Sequence, residues 1–377
     1  MEAPYAYDRY QRQLILKGFG VEAQDKLRRG RVLVIGAGGL GCPIIQYLVA
    51  AGVGHIGVAD PDKVSVSNLH RQILFGADDI GAWKADVVRQ KMQRLDPDAQ
   101  IIIWKEQWMH PHCLEFFPQY DVVVDATDNF ASRYMINDAA VLTGKPLVFG
   151  AVSQYEGQVA VFNCPIAEGG RSVHYRDLFP DPPQDGEVLN CSEGGVLGVL
   201  PGIIGCLQAA EVIKLLTGIG TPLANQLLTY QLLTQSFFTL QLSAHPMAGQ
   251  QMPGSAEAFL ATDYVALCDI ARQGIREMTV EEWRERRRSF LLVDVREPHE
   301  QPRLGGMCSA WSVECEELPL SSFSDQLPLL AHRDLVLVCK AGRRSLLAAS
   351  IIANKRPDIH VFSLKGGVDA LIESQMV

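Results

Sequence analysis

The chain has 377 residues, 47% of them apolar and 20% charged, with a formal net charge of −9. That length allows two domains with real cores, and the charge argues against a nucleic-acid surface or a polybasic membrane anchor. Nine scattered cysteines, an odd number, do not read as a disulfide framework. The N-terminal stretch carries no basic-then-apolar secretory pattern, and no apolar run approaches the roughly 20 residues of a membrane span. A cytoplasmic protein without membrane or nucleic-acid partners is expected.

In chain order, the apolar run 32–35 predicts a buried parallel strand, followed by the turn GAGGLG (36–41) and a helix from Pro43 to Gly52. Strands are predicted at 55–60, 101–104, 121–127 and 146–152, with a helix at 84–95 between the second and third. This alternation implies a doubly wound α/β sheet. Segments 156–162 and 227–242 read as later, antiparallel strands flanking a helix at 205–217 that Gly218 ends. The stretch 243–258 is rich in Pro, Gly, Ala and Ser, and 243–274 reads as a linker. From 275 onward, strands are predicted at 290–297, 334–340 and 359–367, with a helix at 343–354. The basic run 284–288 reads as a solvated helix face. The expected domains are therefore 1–242 and 275–377.

Gly36, Gly38 and Gly41 fit G-x-G-x-x-G between a strand and a helix, where bare backbone can approach a phosphate and the helix N-terminus faces it. Asp60 ends the next strand, at the spacing of a carboxylate that binds ribose hydroxyls. NAD and ATP sites share this fingerprint. The segments SNLHRQ (67–72) and GAWKAD (81–86) add Asn68, Arg71 and Lys84, cations and polar groups suited to a triphosphate and to the charge that develops on leaving pyrophosphate.

These motifs, with RYQRQ (9–13), DPDKVSVSNLHRQ (60–72), ATDNFASRYMIN (126–137) and EGQVAVF (156–162), resemble the MoeB/ThiF family, relatives of ubiquitin-activating enzymes, over about residues 5–242. The resemblance implies a Rossmann-like mixed sheet that adenylates the C-terminal glycine of a small ubiquitin-like sulfur-carrier protein ending in Gly-Gly. It implies that Gly39 and its neighbours hold the ATP phosphates and that Asp60 holds ribose. Ser67, Asn68, Arg71 and Lys84 would bind the triphosphate. Asp128, with Asn129 beside it, would lie at Mg²⁺ near the attacking carboxylate. Arg12 resembles the arginine inserted into a neighbouring subunit's ATP site, which implies a homodimer.

CKAGRRS (339–345) resembles the rhodanese active-site loop, and VDVREPHE (293–300) resembles that fold's framework, over about residues 275–377. A thiolate or persulfide on Cys339 would be stabilised by backbone N–H groups at a helix N-terminus and by Arg343, Arg344 or Lys340. The stretch QPRLGGMCSAWSV (301–313) departs from this pattern, lacking its usual His and Ile, and altered packing is expected there. Cys191, in the glycine-rich LNCSEGGVLGVLPG (189–202), resembles a cysteine that some relatives use for a thioester or disulfide. The other seven cysteines, Cys308 and Cys315 among them, read as structural.

Many relatives bind structural zinc through two C-x-x-C pairs. Here His174 and Asp177 stand at the first pair and no cysteine stands near 245–251. Three scattered candidates do not make a tetrahedral site, and no zinc is expected. The resulting expectation is an adenylyltransferase fused to a sulfurtransferase, loaded by a cysteine desulfurase or thiosulfate. Its rivals are conjugation of a ubiquitin-like protein through a Cys191 thioester, an inactive carrier-docking module, and an NAD-dependent oxidoreductase, which would explain neither the Arg71/Lys84 set nor the thiol loop.

Overall fold

The computed structural model describes residues 6–166, 169–180, 195–246, 248, 252–264, 267, 275–311, 313–319, 334–356 and 358–374. The chain divides into two compact units, one built mainly from residues up to Val265 and the other mainly from Ala266–Val377.

Among the described residues the first unit has eight strands: β1 (Arg31–Ile35), β2 (His55–Ala59), β3 (Gln100–Trp104), β4 (Val122–Asp125), β5 (Leu147–Ser153), β6 (Glu156–Phe162), β7 (Gln226–Gln231) and β8 (Ser236–Gln241). They lie in the order β3-β2-β1-β4-β5-β6-β7-β8. The first five are parallel and the last three antiparallel. The near-continuous Val, Leu and Ile of β1 and β4 are buried because helices cover both faces of a parallel sheet. The strand order reverses beside β1, the kind of switch point at whose C-terminal strand ends ligands bind in open α/β sheets.

The sequence read 227–242 as strand and 205–217 as helix. The former is a hairpin that turns at 232–235, with Gln235 at φ 56°. The latter begins earlier, as Val199–Thr217, and closes on Gly218 in the left-handed region, φ 77°. At 19 residues this helix is long and apolar enough to cross a membrane, which corrects the reading that no such stretch exists. It packs against β5, β6 and the helix Gly41–Ala51, and it buries the polar Gln208 and Glu211 with its apolar residues.

Part of the stretch read as linker also packs on the first unit. The helix Ala256–Ala261 seats Phe259, fully buried, against the His110 ring, and the Tyr264 hydroxyl donates to Asp138 Oδ2 at 2.7 Å. Asp138 also takes a bidentate pair from the buried Arg176, at 2.8 and 2.7 Å. The segment follows a Pro- and Gly-rich stretch, and its two aromatic side chains find partners that local pattern does not reveal.

The second unit holds β9 (Arg276–Met278), β10 (Leu291–Asp294), β11 (Cys315–Glu317), β12 (Leu335–Val338) and β13 (Val361–Leu364), all parallel, in the order β11-β10-β12-β13-β9. The three-residue strands β9 and β11 carry too little pattern to be read from sequence. The basic run lies on the helix Val280–Arg286 and the turn after it, where Arg284 and Arg286 are exposed. The divergent stretch 301–313 contains the helix Leu304–Trp311, whose Cys308 forms a disulfide with Cys315. That pair corrects the reading of both cysteines as plain structural thiols. Seven residues apart in sequence, they become neighbours only because this helix returns beside β11.

Candidate active site

The glycine loop sits where β1 meets the helix Gly41–Ala51. Gly36 has φ +102°, and a Cβ there would lie 2.5 Å from Ala126 O; a Cβ on Gly41 would lie 2.0 Å from Gly36 O. No side chain fits either position, so the loop backbone is held against the β4 exit and stays bare on its other side.

Asp60, 5% exposed, ties this loop to the next. Its Oδ2 accepts from Ala37 N at 2.8 Å and its Oδ1 from Asp62 N at 2.9 Å. Lys84 Nζ lies 3.8 Å from Asp60 Oδ1 and donates to Asp62 Oδ2 at 2.8 Å. Burial pushes the Asp60 carboxyl above its ordinary range, while Lys84 and the two N–H groups pull it back. Lys84 itself is 4% exposed, at the start of the helix Lys84–Leu95.

Arg71 follows the short helical turn Val66–Asn68. Its Nη1 donates to Ser67 O at 2.9 Å and lies 2.8 Å from His70 Nε2, and its Cγ would be 3.6 Å from a Cβ on Gly39. Ser67 is exposed, and the Asn68 side chain accepts from Ser65 N at 3.1 Å. Gly38 faces the side chain of Gln72, whose amide nitrogen would lie 3.7 Å from a Cβ there. Asp128 and Asn129 are both exposed on the loop leaving β4. Asn129 caps the helix Phe130–Leu142, accepting from Ser132 N at 2.9 Å, so one of its acceptors is already engaged in structure.

The structure thus gathers Gly36, Gly38, Gly39, Gly41, Asp60, Arg71 and Lys84 at the C-terminal ends of β1 and β2, with Asp128 on the adjoining loop. Arg12 is not among them. Its helix, Ala6–Leu14, docks through Tyr10 to Asp96 (3.0 Å) and Gln13 to Gln24 (2.8 Å), and Arg12 is exposed. Cys191 lies outside the described residues.

Two further polar groups were not singled out from sequence. Gln72, 4% exposed, has a buried Oε1 without a partner among the described residues. Asp125, fully buried at the end of β4, accepts from Thr127 N (2.9 Å) and from the Thr127 hydroxyl (2.6 Å), and burial holds its carboxyl above the usual range. The signal for Gln72 was its place next to Arg71; for Asp125 it was a carboxylate ending a fully apolar strand.

In the second unit, Cys339 follows β12 at 1% exposure. Gly342, φ +90°, turns the chain into the helix Arg343–Lys355. A Cβ on Gly367 would lie 2.2 Å from Cys339 O, so a second glycine turn closes on the cysteine from the far side. The Ser345 hydroxyl is 3.5 Å from Cys339 Sγ, 2.9 Å from Gly342 O and 2.9 Å from the Ser363 hydroxyl. Its one proton serves a single acceptor at a time. Sequence reading stopped at the arginines and did not single out this serine. Arg344 is committed elsewhere, with its two terminal nitrogens 2.6 and 2.7 Å from the carboxylate oxygens of Glu300. Lys340 is exposed.

Asp177 lies between the backbone of His174 and that of His245, at the positions where relatives carry the zinc pairs. Asp177 accepts from His174 N through Oδ2 and from His245 N through Oδ1, each at 2.8 Å. Both carboxylate oxygens thus hold backbone together. Among the described residues no group of three or more His, Cys, Asp or Glu is placed to hold a metal ion.

Known proteins resemble this chain in sequence or in fold. A sulfur carrier protein adenylyltransferase of Thermus thermophilus is 49% identical over 266 residues, covering 70% of this chain and 97% of that one. "Probable adenylyltransferase/sulfurtransferase MoeZ" of Mycobacterium tuberculosis is 38% identical over 380 residues, covering 96% and 92%. "Adenylyltransferase and sulfurtransferase MOCS3" of Culex quinquefasciatus is 39% identical over 364 residues, covering 92% and 82%. The structure of E. coli MccB with ATP shares the fold, with TM-score 0.54 and 21% identity over 63% of this chain and 72% of that one.

Sheet, glycine loop and thiol loop define an α/β enzyme of the adenylyltransferase and sulfurtransferase class. The chain belongs to the ThiF family, whose model matches residues 10–250.

Proposed function

We propose that the first unit uses ATP to adenylate the C-terminal glycine of a small sulfur-carrier protein, and that Cys339 then supplies the sulfur. The observation that carries this reading is the cluster at the C-terminal ends of β1 and β2, beside the exit of β4. Bare glycine backbone, the Asp60 carboxylate and the cations of Arg71 and Lys84 converge there, on the same chain as a cysteine cradled by two glycine turns.

The carrier carboxylate attacks the α-phosphorus of ATP, and pyrophosphate leaves. Helix N–H groups behind the glycine loop, with Arg71 and Lys84, stabilise the charge that develops on it. Asp60 accepts from ribose hydroxyls with the lone pairs that Ala37 and Asp62 leave free. Asp128 fits a hard cation: it is an exposed carboxylate on the loop leaving β4, and Mg²⁺ takes one or two carboxylates together with phosphate oxygens. Bound there, Mg²⁺ would neutralise phosphate charge.

The terminal sulfur of a Cys339 persulfide, loaded by a cysteine desulfurase or by thiosulfate, attacks the acyl-adenylate. AMP leaves and an acyl disulfide forms. A thiol, with Cys191 the in-chain candidate, attacks the Cys339 sulfur, releasing the thiocarboxylate and leaving a disulfide that a cellular dithiol reduces. On this reading Arg12 completes the ATP site of a second copy, the protein works as a homodimer, and its setting is the cytoplasm.

Intact mass spectrometry of Gly-Gly carriers, incubated with the protein, ATP, Mg²⁺ and thiosulfate, tests the reading. The expected product carries sulfur in place of one C-terminal oxygen and is absent with Cys339→Ala. Wild-type yield from Cys339→Ala would overturn the role of Cys339. High-mass conjugates in place of thiocarboxylate would favour protein conjugation.

A further inference from the structure

The Cys308–Cys315 disulfide takes no part in the chemistry above. Its Cα atoms are 6.3 Å apart, inside the span of about 4.4–6.8 Å that such bridges use. Cys308 is 2% exposed, while Cys315 is partly exposed at the start of edge strand β11. The bridge cannot meet the sulfur-transfer cysteine directly. Leu291, Val293, Leu335 and Leu337 share one core with Cys339, whereas Leu292, Val336 and Val338 share another with Cys308. Alternate residues of a strand face opposite sides, so Cys339 and Cys308 lie on opposite faces of one sheet.

The two sites are connected through the loop 295–303. Beyond the loop lies the helix of Cys308. Arg303, near its end, pairs with Glu317 on the strand of Cys315 and donates to Glu297 O at 2.9 Å. Within the loop, Glu297 N donates to Glu300 Oε1 at 2.9 Å, and Glu300 holds Arg344, five residues after Cys339. Closing the bridge pins the helix to β11, and with it both anchors of the loop that grips Arg344.

We propose that Cys308 and Cys315 are a reversible redox site that controls sulfur transfer at Cys339. Oxidation transfers two electrons from the two thiols to a low-molecular-weight disulfide of the glutathione type, which leaves as two thiols; the reverse exchange opens the bridge. In the bridged form Cys339 is buried and Arg344 is committed to Glu300. The reduced form frees the loop and is the faster sulfurtransferase. In a reducing compartment, a bridge of this kind acts as a sensor, not a permanent staple. The site itself stands apart from the proposed carrier chemistry and rests on it only for the rate readout.

The test equilibrates the full chain in glutathione buffers from fully reduced to fully oxidised, traps free thiols by alkylation and maps the peptides. A 308–315 cross-linked peptide is expected to appear in one transition, unchanged by Cys339→Ser. Tryptophan emission, reporting Trp311 on the same helix and its edge-on partner Trp283, is expected to shift with that transition. Transfer from thiosulfate to cyanide, normalised to free Cys339 thiol, is expected to be several-fold faster in the reduced protein. In Cys315→Ser it should stay at the reduced level in every buffer, and Cys308→Ser is the second variant should the first fold poorly. Absence of the cross-link at every ratio, or equal rates with and without it, would overturn the proposal. A complete lack of transfer with the redox transition intact would count against sulfur transfer and leave the redox site standing.

Discussion

Asp60 is held by two backbone donors at once, and that arrangement sets what a substitution there does. Asn cannot present acceptors to both Ala37 N–H and Asp62 N–H, because one position becomes an amine. Asp60→Asn should weaken ATP binding about tenfold, or ~1.4 kcal/mol, roughly one hydrogen bond; calorimetric titration with ATP measures it. Glu300 behaves differently. The Arg344 guanidinium holds its carboxyl below the usual range, so the folded value lies under the unfolded one. The stabilisation is therefore complete at neutral pH and is lost as pH falls through that lowered value. Thermal unfolding of the second unit should show an acid-side loss of about 1 kcal/mol that Glu300→Gln abolishes. A variant with the same acid limb as wild type would show that the pair contributes nothing.

Among the elements, the glycine loop tolerates least. Gly36→Ala adds a left-handed residue and a clash with Ala126 O, so it should destabilise the first unit by about 1–3 kcal/mol and abolish ATP–pyrophosphate exchange. The segment after β8 was the hardest to read. Phe259 and Tyr264 directly follow the Gly-, Pro- and Ala-rich stretch 243–258 and were read with it as linker, yet Phe259 is fully buried and Tyr264 reaches Asp138. Phe259→Ala should lower the stability of the first unit by about 3–5 kcal/mol, and denaturant unfolding followed by its intrinsic fluorescence checks this. A free linker would show no loss. Strands β1, β2, β4, β5 and β6 were legible because buried parallel or sandwiched strands carry dense Val, Leu and Ile. The turn inside 227–242 was not, because apolar residues run on through it.

At the scale of the whole molecule, each unit has its own sheet and its own core, and each holds one half of the proposed reaction. Cys339→Ala should therefore leave ATP–pyrophosphate exchange at the wild-type rate while thiocarboxylate formation is lost; a matching fall in exchange would mean the halves are not separable. What the sequence determined by itself was local. The glycines at β1, Asp60 one strand later, Arg71 and Lys84 after it, and the thiol loop after β12 are each written in a short window, because phosphate turns and strand-to-helix turns constrain only a few consecutive residues. The tertiary structure alone decided that Arg344 is taken by Glu300, that Asp177 reaches the backbone N–H of His245, and that Cys308 meets Cys315 across a sheet from Cys339. Those pairings join residues whose spacing in the chain carries no period, so only the packed fold brings them within bonding distance.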